Sequence, residues 1–217
     1  MPRQFPACLA SVLALAAVST LLIEPAGAQY GTSATGGRGL PWENNRVRVR
    51  ELSVEPAAPL PAGGDQVLVY LTADPDGRLP ADAVWQAAGG ATVNNRGPSR
   101  LDAIAIELKD AAGGSRGTPP ETLDVQYGVD VSTVIDNPRV LVAKLRYGPL
   151  AYGGPLHFHA EDVIVVYLRG GYTYPGADFW GAVRVGRGDV DVIPANTMHR
   201  LANAGSDPLE LLVIVPK

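Results

Sequence analysis

The chain has 217 residues, 46% hydrophobic and 18% charged, with a formal net charge of −4 at pH 7. That length leaves room for one large or two small domains with a sizeable core. The acids are scattered and no basic stripe stands against them, which excludes the electrostatic footprint of a nucleic-acid-binding protein.

Residues 1–28 have the form of a secretory signal peptide. Arg3 is followed by an apolar run from about Ala7 to Ile23 and by "AGA" before Gln29. Cleavage is expected between Ala28 and Gln29. The apolar run is short for a membrane span of ~20 residues, and no later segment is long and apolar enough to cross. The mature protein is therefore expected in the periplasm or outside the cell, free of the membrane. The only cysteine, Cys8, lies in this leader, so the remaining 189 residues offer no thiol, no disulfide and no sulfur ligand. Residues 29–45, "QYGTSATGGRGLPWENN", are small, polar and Gly-rich and read as a mobile leader.

From Arg46 onward, short runs alternate in polarity and are rich in β-branched residues: "RVRVREL", "QVLVYL", "DAIAIEL", "VLVAKLRY", "DVIVVYL", "GAVRVG", "DVDVI" and "ELLVIVP". Gly, Pro, Asn and Asp clusters separate them. This pattern predicts an all-β sandwich or barrel. "PADAVWQAA" reads as one short turn of helix.

The runs recur in order. Arg46-Val47 matches Arg139-Val140 at an offset of 93, Asp65 to Leu71 matches Asp162 to Leu168 at 97, and Asn95 to Lys109 matches Asn203 to Lys217 at 108. Such an ordered series points to an internal duplication. It divides the chain into a first half, 46–110, a connection, 111–137, expected to carry a short helix, and a second half, 138–217.

The second half holds all three histidines. In "GPLHFHAEDVIVVYLRGG", His157 and His159 are two residues apart, so an extended chain points both the same way, with Phe158 opposite. "GDVDVIPANTMHRLAN" carries Gly188, Pro194, His199 and Asn203. These two stretches resemble the paired motifs of the cupin superfamily: a glycine, H-x-H, a glutamate and a glycine, then G-x5-P-x-G-x2-H-x3-N. His157, His159 and Gly170 keep the spacing of the first. Gly188, Pro194, His199 and Asn203 fit the second, with Asn196 in place of its middle glycine; Asn also tolerates a left-handed turn.

The resemblance implies an antiparallel jelly-roll β-barrel whose two motifs aim their ligands inward. A degenerate cupin-like half would be packed with it. It implies one divalent metal ion per chain held by His157, His159 and His199, with Fe, Zn, Mn, Ni and Cu all compatible with imidazole. The family's glutamate should stand at Val163, and the turn holds Glu161 and Asp162 instead. Two readings stay open: Glu161 reaches in as a fourth ligand, or the site is a three-histidine site with Glu161 as an acid or base near it. The first half has no such site, since Ala91 stands for His199 and Gly64-Asp65 for the H-x-H turn.

Val163, Tyr172 and Tyr174 are candidate pocket residues. Phe179, Trp180, Tyr147 and Tyr152 are further aromatic candidates beside them. The function expected is an exported metal-dependent dioxygenase acting on a small anionic organic molecule. A non-catalytic small-molecule or sugar-binding cupin and a metal-dependent lyase or isomerase are the alternatives, and a homodimer stays open.

Overall fold

The computed structural model describes residues 40–61, 63–72, 83–90, 92–109, 128–152, 157–174 and 181–217. The leader with its cleavage site at Ala28 and Gln29 lies outside the described residues, as do Ala91, Phe179 and Trp180. Among the described residues there are twelve strands and no helix, so none crosses a membrane as a helix.

The first five strands, β1 (Trp42–Glu43), β2 (Val47–Val54), β3 (Asp65–Tyr70), β4 (Ala83–Gln86) and β5 (Leu101–Leu108), form an antiparallel sheet in the order β1-β2-β5-β3-β4. A second five-stranded sheet contains β6 (Val129–Asp136), β7 (Val140–Tyr147), β8 (Val163–Arg169), β11 (Val190–Ile193) and β12 (Leu209–Pro216), in the order β6-β7-β12-β8-β11. A small sheet pairs β9 (Gly171–Thr173) with β10 (Val183–Val185).

The two large sheets share one strand order and one register. Val47 faces Leu108 as Val140 faces Pro216, and Val69 faces Ile104 as Val166 faces Leu212. These pairs stand at the offsets of 93, 97 and 108 read from the sequence. Loop details repeat too. Asn95 Nδ2 donates to Val54 O and Ser99 O while its Oδ1 accepts from Gly97 N. Asn203 Nδ2 likewise donates to Gly148 O and Asp207 O, and its Oδ1 accepts from Gly205 N. The asparagine of the second motif is thus a loop clamp, buried and bonded in all three directions.

Period-two alternation explains the layers. Val47, Val49, Val67, Val69, Ile104 and Ile106 of the first sheet pack against Val140, Val142, Ile164, Val166, Leu212 and Ile214 of the second, in one core between the sheets. The intervening residues face away. Leu141, Leu145, Tyr147, Val163, Val165, Tyr167, Leu211 and Val213 build a second core with Leu201 and Ile193. Leu68, Tyr70, Leu101 and Ala103 belong to a third, on the far face of the first sheet. Central strands are buried on both faces, which is why β8 and β12 read as continuous apolar runs.

Three expectations fail locally. "PADAVWQAA" contains β4, an edge strand, because pairing with β3 and the packing of Trp85 on the inter-sheet core outweigh the helix preference of alanine. The part of the connection from Val129 to Asp136 is strand rather than helix. It pairs with β7, and its Val129, Val131, Thr133 and Ile135 suit a pleated edge. The end of the leader is also fixed, since Trp42 pairs with Val49, and Leu40 and Trp42 pack on the core.

Glycine is required at Gly170. A Cβ there would stand 2.6 Å from Val185 O and 3.2 Å from Gly186 Cα, both backbone. Gly170→Ala should therefore push β8 and β10 apart and cost about 1–3 kcal/mol, read as a lower denaturation midpoint in urea. An unchanged midpoint would mean that the loop moves aside freely.

Candidate metal centre

His157 and His159 enter the second half just ahead of β8, and His199 lies in the extended segment after β11. Backbone pairing sets them side by side. His157 N donates to His199 O at 3.0 Å, and His199 N to His157 O at 2.8 Å. Asn196 N donates to His159 O at 2.7 Å, which ties the turn of the second motif to the first. That turn needs a left-handed residue, and Asn196 supplies it with φ of 60°.

The result is a cluster of three imidazoles with ring centroids 4.6 to 5.1 Å apart. One ligand nitrogen from each lies within 4.8 Å of the others. Three nitrogens bound tetrahedrally to one ion at ~2.1 Å stand ~3.4 Å apart, so inward shifts of less than about 1 Å per ring suffice to close the set on an ion. The donor chemistry also fits. His199 Nδ1 lies 2.8 Å from Thr197 O. A proton on Nδ1 satisfies that carbonyl and leaves the Nε2 lone pair for a metal.

Protonation is held down as well. Burial, then the charges of His199 and His157, lower the His159 pKa to about 4. Burial also lowers that of His199, opposed by the Thr197 carbonyl and helped by His157. His159 and His199 are therefore neutral at pH 7 and free to ligate. A pH dependence follows for the metal-free protein. Unfolded histidine titrates near 6.5, so below that pH the unfolded state binds protons that folded His159 refuses until about 4. Melting temperature should fall as pH drops through this window, and less steeply in His159→Gln. Identical slopes in the two proteins would contradict it.

The group contains no carboxylate. Glu161 is buried, pairs with Arg46 of the first half and is not part of that group. Asp162 is bonded by Asn44 Nδ2 at 2.7 Å and by Ala195 N at 3.0 Å. Val163 is 2% exposed and faces the interior with Val165, Tyr167 and Ile193. Deeper in that interior, Tyr167 Oη donates to Asp191 Oδ2 at 2.8 Å. Burial raises the pKa values of both groups, and that of the Tyr147 phenol.

The aromatic candidates are dispersed. Tyr172 is 49% exposed, while its neighbour Thr173 takes the inward position and donates to Ala202 O at 3.1 Å. Tyr174 and Tyr152 line an open cleft of 280 Å³ with Leu150, Arg200, Ala202 and Asn203. No histidine lines it. Arg200 and Ala202 alternate with His199 and Leu201 and so face the other side. Of the tyrosines named from sequence, Tyr147 alone joins the interior core. The roles of Thr197, Asn44 and Arg46 were not read from sequence. Only the shared Arg-Val start of the two halves marked Arg46.

The cupin domain family model matches residues 144–215. That span, about a third of the chain, carries all three histidines and is a cupin domain. No curated protein sequence matches it. Among solved structures, it is similar to the salicylate 1,2-dioxygenase of Pseudoaminobacter salicylatoxidans with gentisate adducts. There the identity is 10% and the TM-score 0.58, over 85% of this chain and 71% of that one. It is also similar to AerE of Microcystis aeruginosa, with 12% identity and a TM-score of 0.56 over 79% and 88%. A cupin 2 conserved barrel domain protein of Leptotrichia buccalis gives 16% and 0.50 over 81% and 86%. At these identities the likeness is one of fold.

Proposed function

We propose that the protein is an exported, metal-dependent cupin oxygenase acting on a small anionic organic molecule. The observation that carries this reading is the group of three imidazoles with no carboxylate among them. His157, His159 and His199 would hold the ion, with Thr197 O fixing the tautomer of His199. A redox-active ion bound there would supply Lewis acidity and electron transfer to oxygen. Because its ligands are neutral, an ion of charge +2 keeps that charge and attracts a carboxylate or enolate. Val163 and Ile193 supply apolar walls that exclude water from the ligand side of the barrel. The dioxygenase of like fold is named for salicylate, a hydroxylated aromatic carboxylate, and the same substrate class suits this charge balance. The signal-like leader supports placement in the periplasm or outside the cell.

Metal analysis of protein recovered from its native compartment, followed by oxygen uptake with a panel of hydroxy- and keto-acids, tests the reading. Oxygen consumed by the iron-loaded form and not by a zinc-loaded form is the expected result. Native zinc with no oxygen uptake would favour a lyase, an isomerase or a non-catalytic binding protein.

A further inference from the structure

The turn between His159 and β8 carries two successive carboxylates, Glu161 and Asp162, both buried. Each is held from the other half of the molecule. Arg46 Nη1 pairs with Glu161 Oε2, and Asn44 Nδ2 donates to Asp162 Oδ2 at 2.7 Å. Asn44 is itself fixed, because its Oδ1 accepts from Arg46 N and Val47 N, each at 2.8 Å. Asp162 Oδ1 accepts from Ala195 N at 3.0 Å, and the next residue, Asn196, donates to His159 O. The links run unbroken from residues 44–46, through turns 161–162 and 194–196, to His159.

The first half contains its own comparison. Asp65, the counterpart of Asp162, accepts from Ala88 N at 2.8 Å on Oδ1. Its Oδ2 faces Arg139 Nε at 3.3 Å, and Arg139 is the counterpart of Arg46. Each half's arginine thus reaches across to the turn of the other. Gly64 stands where the second half has Glu161, so the turn without histidines offers one carboxylate. In the second half the added Glu161 takes the arginine, and Asp162 Oδ2 passes to Asn44. Among the described residues, the turn that carries histidine has two side-chain links to the segment 44–46, Arg46 and Asn44, and the empty one is met by Arg139.

We infer that Arg46 and Asn44 are positioning residues for the metal centre, supplied by the half that has no histidine. The inference rests on reading the three histidines as a metal group. Without these two partners the turn loses its fastening to the segment 44–46 and is free to shift toward water. His159 would move with it, and ligand sets tolerate displacements of only a few tenths of an ångström.

Arg46→Met/Glu161→Gln removes the clamp without stranding a buried charge. Arg139→Met/Asp65→Asn removes its counterpart and serves as the control. Three quantities are read: Zn²⁺ affinity by chelator competition near neutral pH, the visible spectrum of the Co²⁺ form, and amide exchange of Asn196 in metal-free protein. The first variant should bind Zn²⁺ about 10–100-fold more weakly, alter the Co²⁺ spectrum and exchange Asn196 faster. The control should melt earlier yet keep its Zn²⁺ affinity within about twofold. Arg46→Lys should retain part of the affinity, since it keeps the charge and loses the fork. Equal weakening by both double variants, or by neither, overturns the inference. If the wild type holds no Zn²⁺, the metal reading fails by itself. Unchanged Asn196 exchange in the first variant then overturns the positioning role as well.

Discussion

His199→Ala should all but abolish metal binding while leaving the fold in place. His199 is 3% exposed, and its ring is oriented by the bond at 2.8 Å to Thr197 O. The backbone bonds that it exchanges with His157 survive substitution, so the neighbouring ligand keeps its position. A four-ligand zinc site binds with about 10–16 kcal/mol, so one imidazole is worth roughly 3 kcal/mol, or about a hundredfold in affinity. With two histidines left, the ion loses to ordinary buffer. Calorimetric titration of metal-free wild type and variant, beside their far-ultraviolet spectra, is the measurement. Full occupancy in a folded His199→Ala protein would place the ion elsewhere.

The same histidines show what a sequence can disclose. His157, His159 and His199 were legible because alternation fixes which way a side chain points, and because two motif fragments kept their spacing. The strands of "RVRVREL" or "ELLVIVP" were legible for the same reason. They bury one or both faces, and burial leaves its period in the residue types. β6 is an exposed edge whose polar residues hide the pattern, β9 has three residues, and the Ala-Val-Trp-Gln of β4 suits helix or strand. Tyr172 was singled out for its aromatic ring alone, whereas parity counted from His157 puts Thr173 inward and Tyr172 outward, as found. Arg46 and Asn44, the side chains that hold Glu161 and Asp162, lie more than a hundred residues away from them. Periodicity says nothing of such a distance, and the repeat alone hinted at it, through the pairing of Arg46 with Arg139.

Val163→Glu should make stability depend on metal. Val163 opens β8, pairs with Ile193 and is 2% exposed in the apolar lining of the barrel. It occupies the position where cupin motifs carry a carboxylate, and it lies on the inward face. Without an ion, the new carboxylate stands among apolar side chains, and Arg46 is engaged by Glu161. An uncompensated buried charge costs about 3–5 kcal/mol. In a chain of this size that lowers the melting temperature by roughly 6–20 °C. With a divalent ion on the three histidines, the same carboxylate becomes a fourth ligand and the cost is offset. At a free metal concentration about a thousandfold above the dissociation constant, binding returns ~4 kcal/mol. The ion would also lose one unit of effective charge and one open position, so an anionic ligand should bind more weakly. Val163→Ala is the control, since a smaller apolar residue costs stability equally with and without metal. Melting curves of the three proteins, with Zn²⁺ and with chelator, separate the cases. A Val163→Glu protein that melts early in both conditions would show that position 163 does not face the ion and that its valine serves packing alone.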